Sequence, residues 1–174
     1  MLDGFDTYFS AVRGSMSIRI VAARYSTPDS DGYPDTVQFE HADTGEVLMR
    51  FLRFRTNPNR LNPHNGKNWR ECYGQIMPGI YRYACIASPK HGKCLALNGL
   101  AAIPTTLPNY NPETQYPGTN SAEDVEIHCG QDNSLYPGSA ACQLFPPDEW
   151  ETAIGYFSLG DVGEYVLSEP QEEL

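Results

Sequence analysis

Residues 79–97 constrain the fold more than any other stretch of this chain. Residues 79–87 alternate in character with period two, Pro89-Lys90-His91-Gly92 supplies turn chemistry, and Lys93-Cys94-Leu95-Ala96-Leu97 runs back. A period of two puts successive side chains on opposite faces, and Pro and Gly close the turn, so the stretch predicts a β-hairpin. The same grammar recurs upstream. Residues 16–23 alternate, residues 26–34 are turn-rich, residues 36–40 form a second run, and Asp43-Thr44-Gly45 leads into a third over 46–54. In that third run Val47, Met49 and Phe51 are expected on one face, and Leu48, Leu52 and Phe54 partly on the other. Residues 104–122 read as one long Pro/Asn/Thr/Gly loop, a length that commonly serves a lid or a substrate flap.

The second half adds a short strand over 125–128 and a Gly/Pro/Asn/Ser loop over 130–139. A helix follows from Pro146, with Pro147, Asp148 and Glu149 in its first turn. Trp150, Ile154 and Phe157 share the i, i+4, i+7 spacing of one helical face. Gly160 and Gly163 end that segment, and residues 164–167 make a last strand. The expectation is a mainly β chain with one short helix. Residues 16–174 form a single domain, and residues 1–15 are a natural N-terminal arm or residues added before a start at Met16. The 174 residues suffice for a sizeable core.

The net charge of −10 argues against a nucleic-acid or anionic-membrane surface, since phosphate contacts need Lys and Arg. The acidic end, residues 169–174, reads as a solvated tail. No stretch approaches the roughly 20 apolar residues of a membrane span. The start of the chain lacks the apolar core of a signal peptide, so synthesis in the cytoplasm is expected, with delivery or release before any action outside. Five cysteines, at 72, 85, 94, 129 and 142, leave at least one thiol unpaired. Cys85 and Cys94 flank the hairpin turn and are candidates to face each other, or are buried as reduced thiols. No C-x-x-C pair and no obvious His/Asp ligand set is present, so neither a metal nor another cofactor is expected.

His128 and Cys142 carry the chemistry. Thirteen residues lie between them, a span that lets a loop fold back and bring an imidazole to a thiol. A Cys–His pair is the minimum for thiolate nucleophilic catalysis. The position of Cys142 shortly before the helix suggests further activation by the helix N-terminus. Small residues at Ser139, Ala140 and Ala141 would let backbone N–H groups approach a carbonyl as an oxyanion hole. Asp132 and Asn133 are candidates to orient His128. Cys129 is expected on the opposite strand face, as core or a second thiol. His64 and His91 are expected in exposed loops. Tyr81, Tyr83, Tyr110, Tyr116 and Tyr136 are candidates for a peptide groove or for packing.

The order of these parts resembles the L,D-transpeptidase (YkuD-type) catalytic domain and its phage and effector relatives. The resemblance rests on Pro78-Gly79-Ile80-Tyr81, on Ile127-His128-x-Gly130, on Ser139-x-x-Cys142, and on the closing helix and strand. It covers roughly residues 74–168. It implies a β-sandwich with one short helix after the catalytic cysteine. It also implies a cysteine peptidase or transpeptidase that is acylated by a peptidoglycan stem peptide. Cys142 would be the nucleophile, His128 its base and Ser139 the motif Ser/Thr. Ala141, Ala140, Gln143 and Gly130 would stabilise the oxyanion or bind substrate. The family's motif glycine is Ala141 here. If that position requires a positive φ, alanine costs about 1 kcal/mol or more. A lytic role at the bacterial cell wall, with a virion or secretion-system partner, would follow. The competing expectation is a degenerate structural or wall-binding module, for example in a phage tail or baseplate.

Overall fold

A computed structural model describes residues 17–25, 32–57, 75–105, 110–111, 116–117, 121–132 and 141–168. Residues 1–15, His64, Cys72, Asn133, Tyr136, Ser139, Ala140, the tail 169–174 and most of the turn over 26–34 lie outside the described residues.

The described chain is mainly β. In order it forms β1 (Ile18–Ala23), β2 (Asp35–His41), β3 (Val47–Phe54), β4 (Gly79–Ser88) and β5 (Gly92–Leu97). Four two-residue strands follow: β6 (Ile103–Pro104), β7 (Tyr110–Asn111), β8 (Tyr116–Pro117) and β9 (Ser121–Ala122). The chain continues through β10 (Glu126–Cys129), β11 (Gln143–Phe145), α1 (Pro147–Ile154) and β12 (Val162–Ser168). The predicted hairpins are present, with Gly45 and Gly92 at positive φ in their turns. The long loop is more structured than expected, because β6 pairs with β9 and β7 with β8 inside it.

One eight-stranded sheet, ordered β11-β10-β5-β4-β12-β1-β2-β3, curls until its two edges nearly meet. Just past β3, Arg55 bridges to Leu144 of β11, each donating its backbone N–H to the other's carbonyl at 2.9 Å. Pairing is antiparallel except for β1 with β12 and β10 with β11. β12 thus sits in the middle of the sheet and joins the N-terminal hairpins to the β4–β5 hairpin.

The interior is aromatic. Phe39 makes edge or tilted contacts with Phe51, Phe145, Tyr156 and Phe157, at ring-centroid distances of 5.2–6.1 Å. Such pairs add about 0.5–1.5 kcal/mol each beyond area burial. Phe51 and Phe54 were expected on opposite faces of β3, yet both are buried and both contact Phe145. A register shift opposite Asp35–Val37 accounts for this, since an irregularity in the ladder changes which side chains face inward. Helix α1 lays Trp150, Ala153 and Ile154 against this core, and Phe157 follows beyond its end.

Cys85 and Cys94 do not face each other. Cys85 is opposite Leu95 and Cys94 opposite Ile86, so the two thiols point to opposite sheet faces, both free and buried. Gly163 does not end the helix segment but lies within β12, against the Ile18 carbonyl and the Tyr83 hydroxyl, which donates to that carbonyl at 2.7 Å. A Cβ there would clash with both, and the backbone oxygen cannot swing away. Gly163→Ala is expected to destabilise the fold by about 1–3 kcal/mol, the usual cost of overpacking, read as a lower urea midpoint at unchanged m-value.

A buried polar cluster holds the seam where the curled sheet closes. Arg24 donates from Nε to the Thr56 hydroxyl at 2.9 Å and from Nη2 to the Ile76 carbonyl at 3.0 Å. Asp35, with no exposed surface, accepts from the Thr56 N–H and hydroxyl, both at 2.7 Å, and from the Tyr25 N–H at 2.9 Å.

Candidate functional site

β10 delivers Glu126 and His128 to one face and Ile127 to the other, as strand alternation requires. Ile127 pairs with Gln143 and His128 with Leu144 in the parallel β10–β11 ladder. Cys142, one residue before β11, is therefore carried beside Glu126, whose backbone N–H points to Cys142 Sγ at 3.5 Å. Extending the register by one residue sets Cys142 opposite Glu126, next to the strand that carries His128, with its Sγ against the Glu126 N–H and the Asp124 carbonyl.

His128 is 3% exposed. Its Nδ1 lies 2.7 Å from the Cys129 carbonyl, which can only accept. In the neutral ring Nδ1 therefore carries the proton and Nε2 presents a bare lone pair. That Nε2 is buried and has no hydrogen-bond partner among the described residues. Burial pulls the His128 pKa down to about 4, with the neighbouring His91 adding to the effect, so the ring is neutral at physiological pH. The unfolded chain takes up this proton near pH 6.5 and the folded chain only near pH 4. Stability held above pH 6.5 is therefore lost as pH falls through that window, by up to about 3 kcal/mol. Urea midpoints measured from pH 7 to pH 4 are expected to fall more steeply for wild type than for His128→Leu.

Cys142 behaves differently from the sequence expectation. A strand, not the helix, follows it, and α1 begins only at Pro147, so no helix N-terminus is presented to the thiol. Desolvation pushes its pKa up to about 11; the Glu126 N–H and Lys90 pull it down, while the charges of Glu126 and Asp124 push it up. At rest both the thiol and the imidazole are neutral. Alkylation of Cys142 by iodoacetamide is expected to be slow at pH 7 and to climb about tenfold per pH unit toward pH 11, because the thiolate is the nucleophile.

The remaining expectations sort as follows. Ala141 is buried and is not among the non-glycine residues with positive φ. The backbone there does not call for glycine. The Gly130 N–H is engaged with the Phe145 carbonyl at 2.8 Å. The Gln143 side chain is fully buried, donates to the Ala141 carbonyl at 3.0 Å and accepts from the Tyr165 hydroxyl at 2.9 Å, so it braces the interior. Asp132 is exposed, and the group orienting His128 is the Cys129 carbonyl. Cys129 packs against the core, its thiol turned to the Gly130 carbonyl at 3.4 Å. Tyr83 is buried on the Ile18 carbonyl rather than lining a groove, and the side chains of Tyr110 and Tyr116 lie outside the described residues.

Sequence reasoning missed two partners. His91, expected to be an exposed turn residue, stacks on His128 with ring centroids 3.6 Å apart and planes 14° from parallel. Its Nε2 lies 3.6 Å from Oε2 of Glu126, which is itself buried. Only the pairing of β5 with β10 brings the turn to this place, and no local signal encodes that pairing. Strained backbone adjoins the thiol. Asp124, whose carbonyl lies 3.8 Å from Cys142 Sγ, has φ of 53°, and the neighbouring Asn98-Gly99-Leu100 turn is left-handed throughout. Leu100 donates no such strain lightly: a β-carbon in that region costs about 1–2 kcal/mol. The Asp124 N–H bonds the Leu100 carbonyl at 3.1 Å, which ties the two strained segments together.

Among the described residues, no group of three His, Cys, Asp or Glu side chains is gathered to hold a metal ion, and no helix is long and apolar enough to cross a membrane. No protein-family model, curated protein or solved structure matches the chain.

Proposed function

We propose that this chain is a cysteine peptidase or transpeptidase acting on peptidoglycan stem peptides. The observation that supports the reading is the buried Nε2 of His128, without a hydrogen-bond partner among the described residues, on the strand next to the segment that carries Cys142. A neutral imidazole fixed through Nδ1 takes a proton only at Nε2, and substrate binding would have to raise its lowered pKa toward the working pH for it to serve as a general base. The thiol proton passes to Nε2 as Sγ bonds to the substrate carbonyl carbon. The C–N bond then breaks, and Nε2–H returns the proton to the leaving amine. Water releases the acyl-enzyme in a carboxy- or endopeptidase, and an amine releases it in a transpeptidase. The substrate class rests on the resemblance to L,D-transpeptidases, and in that reading the two halves of the curled sheet stand for the two layers of the family's sandwich. The test is mass-spectrometric digestion of purified muropeptides by wild type and Cys142→Ala. No turnover by wild type, or unchanged turnover by the variant, refutes the mechanism.

A second reading is a non-catalytic wall-binding or structural module. The raised Cys142 pKa favours it, since an inert thiol needs no activation. It requires muropeptide binding without turnover.

A further inference from the structure

We propose that His91 is a positioning residue for His128, its ring stacked on the His128 ring beside Glu126 so that the imidazole is held in one orientation. The catalytic significance of this rests on the reading above; the positioning itself does not. Among the described residues the His128 ring makes a single hydrogen bond, from Nδ1 to the Cys129 carbonyl, and one such bond alone does not fix the ring against rotation about it. A flat ring 3.6 Å away and 14° from parallel removes that freedom. His91 comes from a turn, and the buried Glu126 carboxylate lies 3.6 Å from its Nε2, where it attracts the ring once the ring is protonated. Glu126 also meets Cys142 Sγ through its backbone N–H.

The arrangement also couples the two rings electrically. Two imidazolium ions stacked this closely repel, so a proton on His91 opposes one on His128. The charged and titratable groups facing the pair are Glu126 from β10, Lys90 from the turn, and the rings themselves. Glu126 favours a proton on His91, and Lys90 disfavours one on either ring.

The test is ¹⁵N NMR titration of the His128 ring in the whole chain, for wild type, His91→Phe and His91→Ala. Wild type is expected to show protonated Nδ1 and bare Nε2. His91→Phe keeps a flat ring but removes the charge, so the tautomer is retained and the His128 midpoint rises by about half a pH unit or more. His91→Ala removes the ring, and the tautomer preference is lost. A wild-type midpoint in His91→Phe, or a wild-type tautomer in His91→Ala, overturns the proposal; if His91→Ala does not fold, His91→Phe decides alone. Muropeptide digestion by wild type is run beside it. The expected titrations without turnover leave the positioning standing and remove the peptidoglycan reading, and turnover with unmoved titrations does the reverse.

Discussion

On the proposed peptidase reading, muropeptide cleavage is expected to fall by about 10²–10⁴-fold in His128→Gln, the usual share of a general base, and at least as far in Cys142→Ala. Glutamine keeps the polar bulk of the imidazole but cannot take a proton from a thiol. Alanine removes the only atom able to form the acyl bond. The double variant is expected to be no worse than Cys142→Ala alone, because a base without its nucleophile has nothing to deprotonate. Losses that multiply would mean that the two residues do not act as a unit. Rates measured on one defined muropeptide, with folding checked by urea midpoint, make the comparison.

The largest expected loss of stability is at Asp35. Asp35→Ala deprives the Thr56 N–H and hydroxyl and the Tyr25 N–H of their acceptor, and both Asp35 and Thr56 are buried. It also removes a negative charge from the cluster that contains the buried Arg24 guanidinium, linked through Thr56. Breaking a buried charge network on one side costs about 3–5 kcal/mol. Chemical denaturation of Asp35→Ala against wild type reads it directly. Asp35→Asn, which keeps one acceptor oxygen, is expected to lose less. Equal midpoints for Asp35→Ala and wild type would show that the cluster does not hold the seam.

The sequence announces what is local. Alternation and turn residues place β1 to β5, and Pro147, Asp148 and Glu149 place the start of α1, because these signals act within a few residues. The strand that carries His128 was legible for the same reason. Three things were not. β11 is only three residues long, too short for a period to register, so Cys142 looked like the lead-in to a helix. The inward turn of both Phe51 and Phe54 depends on a ladder irregularity set by the partner strand. The stack of His91 on His128 depends on strand order, which is a property of the whole sheet. His128 and Cys142 stand out in the sequence as candidates, but their electrostatics do not: burial is what holds His128 uncharged and the thiol protonated.

The central place of β12 has a consequence for how the molecule is assembled. Its neighbours, β1 and β4, come from opposite sides of a long stretch of chain, and neither pairs with the other. Until residues 162–168 emerge from the ribosome, the first three strands and the β4–β5 hairpin each present an open edge with unpaired backbone groups. Such edges invite pairing with other chains. The strand that joins the two halves is made after both of them, so a nascent chain that still lacks residues 162–168 carries two edges open to aggregation at once.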